Sequence, residues 1–151
     1  MCLIGGAGGH LRELLPIASE LKKNSIDFFF VTTDTPFTKG MERTYLAKLI
    51  GNDLPRLLVS NVINIYRALV IIKKESPNVV ITTGPEFGIA YLLLGKVRNG
   101  ALTIFVESLC RMSGPSSTGK LAWPFADVFL VQWTEALSEA PKKAAFWGRV
   151  I

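Results

Sequence analysis

The first stretch of residues suited to chemistry is a glycine-rich turn that ends in the only histidine of the chain. Gly5-Gly6-Ala7-Gly8-Gly9-His10 follows a short apolar run and precedes a stretch with helical spacing. Glycines let a backbone turn tightly and approach a ligand closely, and the free amides at a helix start attract anions. The turn therefore predicts a phosphate or diphosphate site built on Gly6, Gly8 and Gly9. A tight turn without a ligand is the alternative.

The histidine adds a possible catalytic group to this turn. An imidazole titrates near neutral pH, so His10 can bind a phosphate or act as a general base. A capping or packing role is the alternative. The turn is not a P-loop, because no Gly-Lys-Ser/Thr follows it, and it lacks the spacing of the dinucleotide fingerprint. Thr33-Asp34 is only a weak match to the acidic residue which that fingerprint requires after the second strand.

A second candidate group follows the apolar run Leu102–Val106. Glu107 comes directly after it, where a base for a sugar hydroxyl, or a ribose-binding carboxylate, would lie. Arg111, four residues later, could pair with Glu107 or hold a phosphate. A purely structural Glu–Arg pair is the alternative.

Thr83-Gly84-Pro85-Glu86 forms another turn, after a different apolar run. It predicts a second anion-facing loop, with Gly84 and Glu86 as candidate contacts. A plain turn with Glu86 as a helix-start acid is the alternative. Further along, Ser113–Lys120 is polar and glycine-rich, which is typical of a mobile active-site loop or of an ordinary surface loop.

Strand-like and helix-like segments alternate along the chain and would position these groups. Five apolar runs predict strands and a sixth is weaker: Cys2–Ile4, Phe28–Thr32, Val79–Thr82, Leu102–Val106 and Val128–Val131, with Leu57–Val59 as the weaker one. Three segments have helical spacing: Leu11–Lys23, Val62–Lys74 and Phe87–Leu94. Pro16 should kink or delay the first helix. This alternation predicts an α/β fold, a Rossmann-like doubly wound parallel sheet whose ligands collect at the carboxyl ends of the strands.

Composition sets limits on the function. The chain of 151 residues predicts a single domain over 1–151, and 49% hydrophobic residues exclude disorder. A net charge of +5 favours an anionic or apolar partner. The two cysteines and one histidine provide no metal site, and we expect no cofactor. No apolar run reaches the length of a membrane span, and we expect no signal peptide.

These limits predict a protein on the cytoplasmic side, free or bound peripherally to a membrane. Two basic segments, 38–48 and 66–74, are candidate contacts for an anionic bilayer, with solvated helix faces as the default alternative. The positive charges are scattered and lack a stacking pattern, so nucleic acid is not expected as a partner.

Several motifs occur in the order found in one family, and they cover nearly the whole chain. They are Gly5–His10 with Glu13-Leu14, Thr83–Pro85, Phe105–Arg111, Ser117–Leu121, Pro124–Asp127, Val131–Trp133 and Trp147–Ile151. In these motifs the chain resembles the membrane-anchoring subunit of the two-component N-acetylglucosaminyltransferase of asparagine-linked glycosylation, and the bacterial PssD polysaccharide-synthesis proteins. Val-Glu-Ser-Leu-Cys-Arg together with Pro-Phe-Ala-Asp and Val-Gln-Trp is the most specific part of the match.

The resemblance implies a fold equivalent to the N-terminal, acceptor-binding half of a GT-B glycosyltransferase of the MurG type. It implies a small partner subunit that supplies the half binding the UDP-sugar, and an acceptor sugar on a lipid diphosphate. The segment Trp147-Gly148-Arg149-Val150-Ile151 matches the region expected to contact the partner. The eukaryotic subunit begins with a membrane-spanning helix and this chain does not, so we expect either a truncated chain or a peripherally bound prokaryotic relative.

The resulting hypothesis is an inverting, metal-free transfer of N-acetylglucosamine from UDP-N-acetylglucosamine. His10 or Glu107 would accept the proton, while the glycine amides and Arg111 would hold phosphate charge. A non-catalytic scaffold that recruits the partner to the membrane is one alternative, and a PssD-type glucuronosyltransferase subunit is another. A nucleotide-sugar epimerase or dehydrogenase is disfavoured by the missing fingerprint and by the lack of a Tyr-x-x-x-Lys pair.

Overall fold

A computed structural model of the chain describes residues 1–50 and 53–150. It contains seven strands: β1 (Cys2–Ile4), β2 (Phe29–Thr33), β3 (Thr44–Ala47), β4 (Val79–Thr82), β5 (Leu102–Val106), β6 (Val128–Val131) and β7 (Ala144–Phe146). The helices are α1 (Gly9–Lys23), α2 (Leu54–Glu75), α3 (Gly88–Asn99) and α4 (Ser117–Ala122), with a short 3-10 helix at Thr134–Ser138. Among the described residues no helix is long and apolar enough to span a bilayer.

All seven strands pair in parallel, in the order β3-β2-β1-β4-β5-β6-β7. The chain runs from β1 outward to β3 and then crosses back to β4, so β1 and β4 are neighbours in the sheet. The helices that follow them, α1 and α3, pack on opposite faces of the sheet. This is the topological switch point at which open α/β sheets bind ligands. The predicted doubly wound parallel sheet is confirmed.

The two faces of the sheet are covered unequally. One face packs against α2, α3 and α4 through a large core that includes Ile72, Tyr91 and Phe105. The other face carries a smaller core around Leu14 and Phe30, and α1 is the helix that packs there. Most strands are therefore buried on both sides, which explains their continuous apolar runs.

Four of the five main strand predictions match the structure residue for residue, and the fifth is shifted by one position. The weak strand at Leu57–Val59 is wrong, because these residues belong to α2. Asp53 begins that helix by accepting a hydrogen bond from the Arg56 amide (3.0 Å), and Pro55 fits its first turn. The same cap explains why the helix begins eight residues before the predicted Val62.

Other differences lie at short or interrupted elements. The segment 38–48 contains the edge strand β3, which the sequence does not predict because its four residues lack an alternating pattern. Strand β7 is not predicted for the same reason. The loop predicted over Ser113–Lys120 ends at Ser116, because the Ser116 hydroxyl accepts the Gly119 amide (2.9 Å) and begins α4. Helix α1 starts at Gly9, so Pro16 does not delay it. The end of α3 extends five residues beyond the predicted Leu94, to the Gly100 cap.

Candidate functional site

The turns after β1 and β4 meet at the switch point, and His10 lies between them. Its half-buried imidazole has Nδ1 at 2.6 Å from the Thr83 carbonyl oxygen, and the Thr83 hydroxyl donates to the His10 carbonyl at 2.8 Å. A carbonyl oxygen only accepts hydrogen bonds, so Nδ1 carries the hydrogen. In an imidazole that donates from Nδ1, Nε2 is the nitrogen that a general base would use.

Two glycines allow the turns to close around this ring. Gly84 has φ of +108°, and a Cβ there would approach His10 Cε1 to 3.3 Å. A Cβ on Gly6 would lie 3.2 Å from the Pro85 Cβ. Larger residues would strain the Gly84 backbone or push the two turns apart. The structure thus brings Gly6, His10 and Gly84 together at one edge of the sheet. Their predicted role in binding a ligand stays a prediction.

The start of α1 offers unpaired backbone donors beside the histidine. Gly8, with φ of +74°, precedes the helix and supplies no side-chain cap, and the first turn contains no acidic residue. The amides of the first helical turn have no intrahelical acceptor, and the helix dipole favours negative charge at this end. The Ala7 amide is already used by the Thr33 hydroxyl (3.0 Å). The amides that begin α1 can hold an anion next to His10.

Glu107 is inaccessible and fully engaged by the protein. Its side chain is buried, with 1% exposure, and its carboxylate accepts the Ser116 amide (2.8 Å), the Ser116 hydroxyl (3.1 Å) and the Ser108 amide (3.0 Å). A Cβ on Gly119 would lie 2.4 Å from its Oε2, so α4 packs directly on this carboxylate. These contacts favour a structural task, in which Glu107 holds the loop after β5 and the start of α4. Its predicted part in proton transfer stays a prediction.

The remaining predicted contacts lie around the same edge of the sheet. Arg111 is exposed in the loop after β5, and the ion pairs of the described residues do not join it to Glu107. Glu86 is exposed in the turn before α3. Arg111 is therefore available to an anion arriving at this edge, whereas the Glu86 carboxylate would repel one.

Glu13 is a site residue that the sequence analysis did not single out for a role. It lies three residues after His10 on α1, is 6% exposed, and its Oε1 accepts the Ser108 hydroxyl (3.0 Å) and the Leu109 amide (2.9 Å). Its Oε2 is buried without a hydrogen-bond partner among the described residues. The signal in the sequence was an acid on an otherwise apolar helix face, between Leu11 and Leu14.

The C-terminal segment lies over the sheet face that α1 covers. Trp147, Arg149 and Val150 line an apolar groove there together with the sheet residues Ile104 and Leu130. Trp147 is 73% exposed. Ile151, the last predicted interface residue, lies outside the described residues. Gly148 completes the groove wall with φ of +108°.

No group of three or more metal-ligating side chains occurs among residues 1–50 and 53–150. The structure assembles an imidazole and a helix start at the switch point of a parallel sheet, and an exposed arginine lies in the loop after the neighbouring strand β5. Such an arrangement can bind a phosphorylated ligand and accept a proton from it.

The fold and its site define a class of protein. The chain superposes on MurG from Acinetobacter baumannii with a TM-score of 0.77 over 99% of its length, at 15% identity, and covers 46% of that chain. It also superposes on a UDP-GlcNAc 2-epimerase from Methanocaldococcus jannaschii with a TM-score of 0.73, covering 98% of this chain and 45% of that one. The molecule thus has the architecture of one Rossmann-like half of a GT-B enzyme, and spans about half the length of these proteins.

The family is narrower than the fold. Residues 1–150 match the family of oligosaccharide biosynthesis protein Alg14 like, so the chain belongs to the Alg14 family. The UDP-N-acetylglucosamine transferase subunit ALG14 of Yarrowia lipolytica is 27% identical over 97% of this chain and 78% of its own length. The human subunit of the same name is 24% identical over 99% of this chain and 82% of its own length. The resemblance found in the sequence is confirmed.

Proposed function

We propose that this chain is the acceptor-binding subunit of an inverting glycosyltransferase that works with a donor-binding partner. The Alg14 family relationship supports a transferase subunit, since its relatives in Yarrowia and human bear that name. The fold supports a shared active site, because the chain corresponds to less than half of MurG. The donor is a UDP-sugar held by the partner, with UDP-N-acetylglucosamine as the first choice.

The observation that carries the proposal is the contact between His10 Nδ1 and the Thr83 carbonyl oxygen. With Nδ1 donating to the Thr83 carbonyl, Nε2 is free to accept a proton at the switch point. In the proposed step the oxygen of an acceptor hydroxyl bonds to the anomeric carbon of the donor. The bond from that carbon to the diphosphate oxygen breaks, UDP leaves with the electron pair, and the hydroxyl proton moves to Nε2. Attack from the opposite face inverts the anomeric configuration.

The acceptor is a sugar linked to a lipid through a diphosphate. The uncapped amides of α1 and the exposed Arg111 are the groups that would hold the diphosphate charge. Glu107 and Glu13 hold the loop that carries Arg111, so we assign them to positioning rather than proton transfer.

The partner contacts the groove formed by residues 147–150 and the neighbouring sheet. α1 is the one described helix that packs on this face, which leaves apolar sheet residues such as Ile104 and Leu130 only partly covered. The exposed Trp147 indole lies at the edge of this groove, and large aromatic residues are frequent anchors at protein interfaces.

The membrane contact is the outer face of α2. Five of its exposed apolar side chains share one side of the helix: Val62, Ile65, Tyr66, Leu69 and Val70. Lys73 and Lys74 follow on the same helix. An apolar surface next to positive charge fits the headgroup region of an anionic bilayer, and α2 would thereby hold the chain peripherally at the cytoplasmic face of a membrane.

Turnover in a reconstituted complex tests the assignment of His10. The chain is combined with its donor-binding subunit, UDP-N-acetylglucosamine and a farnesyl diphospho-N-acetylglucosamine acceptor, and the product is measured by mass spectrometry. We expect His10→Ala to lower turnover about 10²–10⁴-fold, as loss of a general base does. Acceptor affinity, from calorimetry on the isolated chain, should change less than threefold. Glu20→Gln, at an exposed position of α1, is the matched control.

The same experiment separates the alternatives. A His10→Ala complex with normal turnover, together with no acceptor binding by the isolated chain, would refute the proposal and support a scaffold role. UDP-glucuronate in place of UDP-N-acetylglucosamine tests the glucuronosyltransferase alternative. The product's anomeric coupling constant, measured by NMR, tests inversion.

Vesicle sedimentation tests the membrane face. We expect the chain to bind vesicles that contain phosphatidylglycerol and to bind neutral phosphatidylcholine vesicles weakly. The double variant Val62→Asp/Tyr66→Asp should not bind these vesicles, because insertion of α2 would bring two carboxylates into the apolar part of the bilayer. Leu121→Asp, at an exposed position on α4, is the control for added negative charge. Equal binding by the double variant and the control would exclude this face.

A further inference from the structure

Gln132 connects the C-terminal segment to the loop after β5. It is buried, with 1% exposure, and its Oε1 accepts the Val150 amide at 2.8 Å while its Nε2 donates to the Glu107 carbonyl at 2.9 Å. An amide side chain offers a donor and an acceptor on one planar group. Movement of either end would leave a buried polar group without a partner, which costs about 1–3 kcal/mol. The two segments are therefore tied together.

A second connection runs through the neighbouring tryptophan. The Arg149 guanidinium lies 3.7 Å from the centre of the Trp133 ring, and the indole Nε1 donates to the Leu109 carbonyl at 2.6 Å. Leu109 in turn donates its amide to Glu13 (2.9 Å), one turn after His10 on α1. This path leads from the groove of residues 147–150 to the helix that begins at the candidate anion site.

We propose that Gln132 and Trp133 are positioning residues that couple the groove of residues 147–150 to the acceptor site. The inference rests on the proposed function, because it takes the groove as the partner's contact and the α1 edge as the diphosphate's. An acceptor that pulls Arg111 and its loop into place also fixes Val150 through Gln132. By linkage, a partner that fixes residues 147–150 raises acceptor affinity by the same factor.

This coupling gives the Val-Gln-Trp motif a task that neither catalysis nor packing requires. The buried position directly after β6 could be filled by an apolar residue such as the neighbouring Val131. An amide there, bonded at both ends, serves to fix two loops relative to each other. The isolated half-enzyme would still bind its acceptor, and the attached donor-binding half would raise that affinity.

Amide-resolved NMR of the isolated chain tests the coupling, with geranyl diphosphate as the probe. We expect the probe to shift the amides of residues 83–84 and 108–111 and to slow hydrogen exchange of the Val150 amide at least about fivefold, the lower end of usual coupling. Gln132→Glu keeps an acceptor for Val150 but replaces the donor to Glu107 with a repelling oxygen. It should bind the probe within about threefold of the parent affinity and lose the Val150 response.

A second variant decides the question if Gln132→Glu does not fold. Trp133→Phe keeps a ring under Arg149 and removes only the bond to Leu109, so the response of the Arg149 amide should fall. Glu135→Gln, exposed in the 3-10 helix, should respond like the parent chain. Shifts at 108–111 without any change at Val150 in the parent chain would overturn the coupling and leave the acceptor site standing. No shifts at either loop would overturn the proposed acceptor site itself.

Discussion

Replacing Glu107 by glutamine separates a structural task of this carboxylate from a chemical one. Both carboxylate oxygens accept hydrogen bonds, Oε2 from the Ser116 amide and hydroxyl and Oε1 from the Ser108 amide. A glutamine has one carbonyl oxygen, so its NH₂ group must face a donor on one side. At least one buried amide then loses its acceptor, and the remaining bonds lose their charge.

The size of the effect follows from these contacts. An unsatisfied buried donor costs about 1–3 kcal/mol, and the weakened bonds to Ser116 add about 1 kcal/mol. We therefore expect Glu107→Gln to lower the free energy of unfolding by about 2–4 kcal/mol, which shifts the melting temperature of a domain of this size by roughly 5–15 °C. Chemical denaturation and calorimetry measure both quantities.

Turnover of the reconstituted complex distinguishes a structural role of Glu107 from a role in proton transfer. At a temperature where the variant stays folded, we expect the reconstituted complex to keep activity within about tenfold, since the change reaches the site only through the loop. Loss of a proton acceptor would instead lower turnover about 10²–10⁴-fold. Glu20→Gln, which removes an exposed charge paired with Lys23, should change neither quantity. An inactive Glu107→Gln variant of unchanged stability would refute the structural assignment.

Three further outcomes follow from particular contacts. Gly84→Ala should reduce turnover at least about tenfold by straining a φ of +108° and crowding the His10 ring, which a reconstituted assay checks. Gly119→Ala should destabilise the fold by about 1–3 kcal/mol in urea denaturation, because its Cβ would overlap the Glu107 carboxylate. Burial acts to raise the pKa of Asp127, but hydrogen bonds from Lys96 and from the Thr103 amide and hydroxyl outweigh it and lower the pKa to about 2. Because the pKa of Asp127 is lower in the folded chain than in the unfolded chain, its ionised form stabilises the fold at any pH above the unfolded pKa. This contribution is about 1–2 kcal/mol after allowance for the partial exposure of the carboxylate, and it should be lost as pH falls from about 4 to 2. In pH-dependent denaturation, Asp127→Asn should lack this loss.

The parts of the fold that the sequence predicts are those whose local pattern has one interpretation. Strands such as Val79–Thr82 are buried on both faces and bounded by turn residues, so no tertiary information was needed. Strand β3 is an edge strand between Arg43 and Lys48, and its pairing with β2 alone makes it a strand. The apolar run at Leu57–Val59 fits a strand or a helix until the cap at Asp53 is taken into account.

The site was predictable to the level of loops but not of individual roles. Parallel strands end at one edge, so the predicted parallel sheet assigns the turns that carry His10, Gly84 and Arg111 to that edge. What Glu107 does depends on Ser116, nine residues away, whose position is set by the start of α4. The importance of Glu13 depends on the loop at Ser108, which no local pattern links to α1.

The uneven covering of the sheet connects the composition to the proposed function. A chain that buries its strands on both faces still leaves partly covered apolar residues beside α1, at the groove of residues 147–150, and an apolar outer side on α2. These two surfaces lie on opposite faces of the same sheet, and the proposed anion site lies at the edge between them. A partner on one face and a bilayer on the other would therefore meet the same acceptor: the bilayer holding its lipid, and the partner bringing the donor sugar to His10.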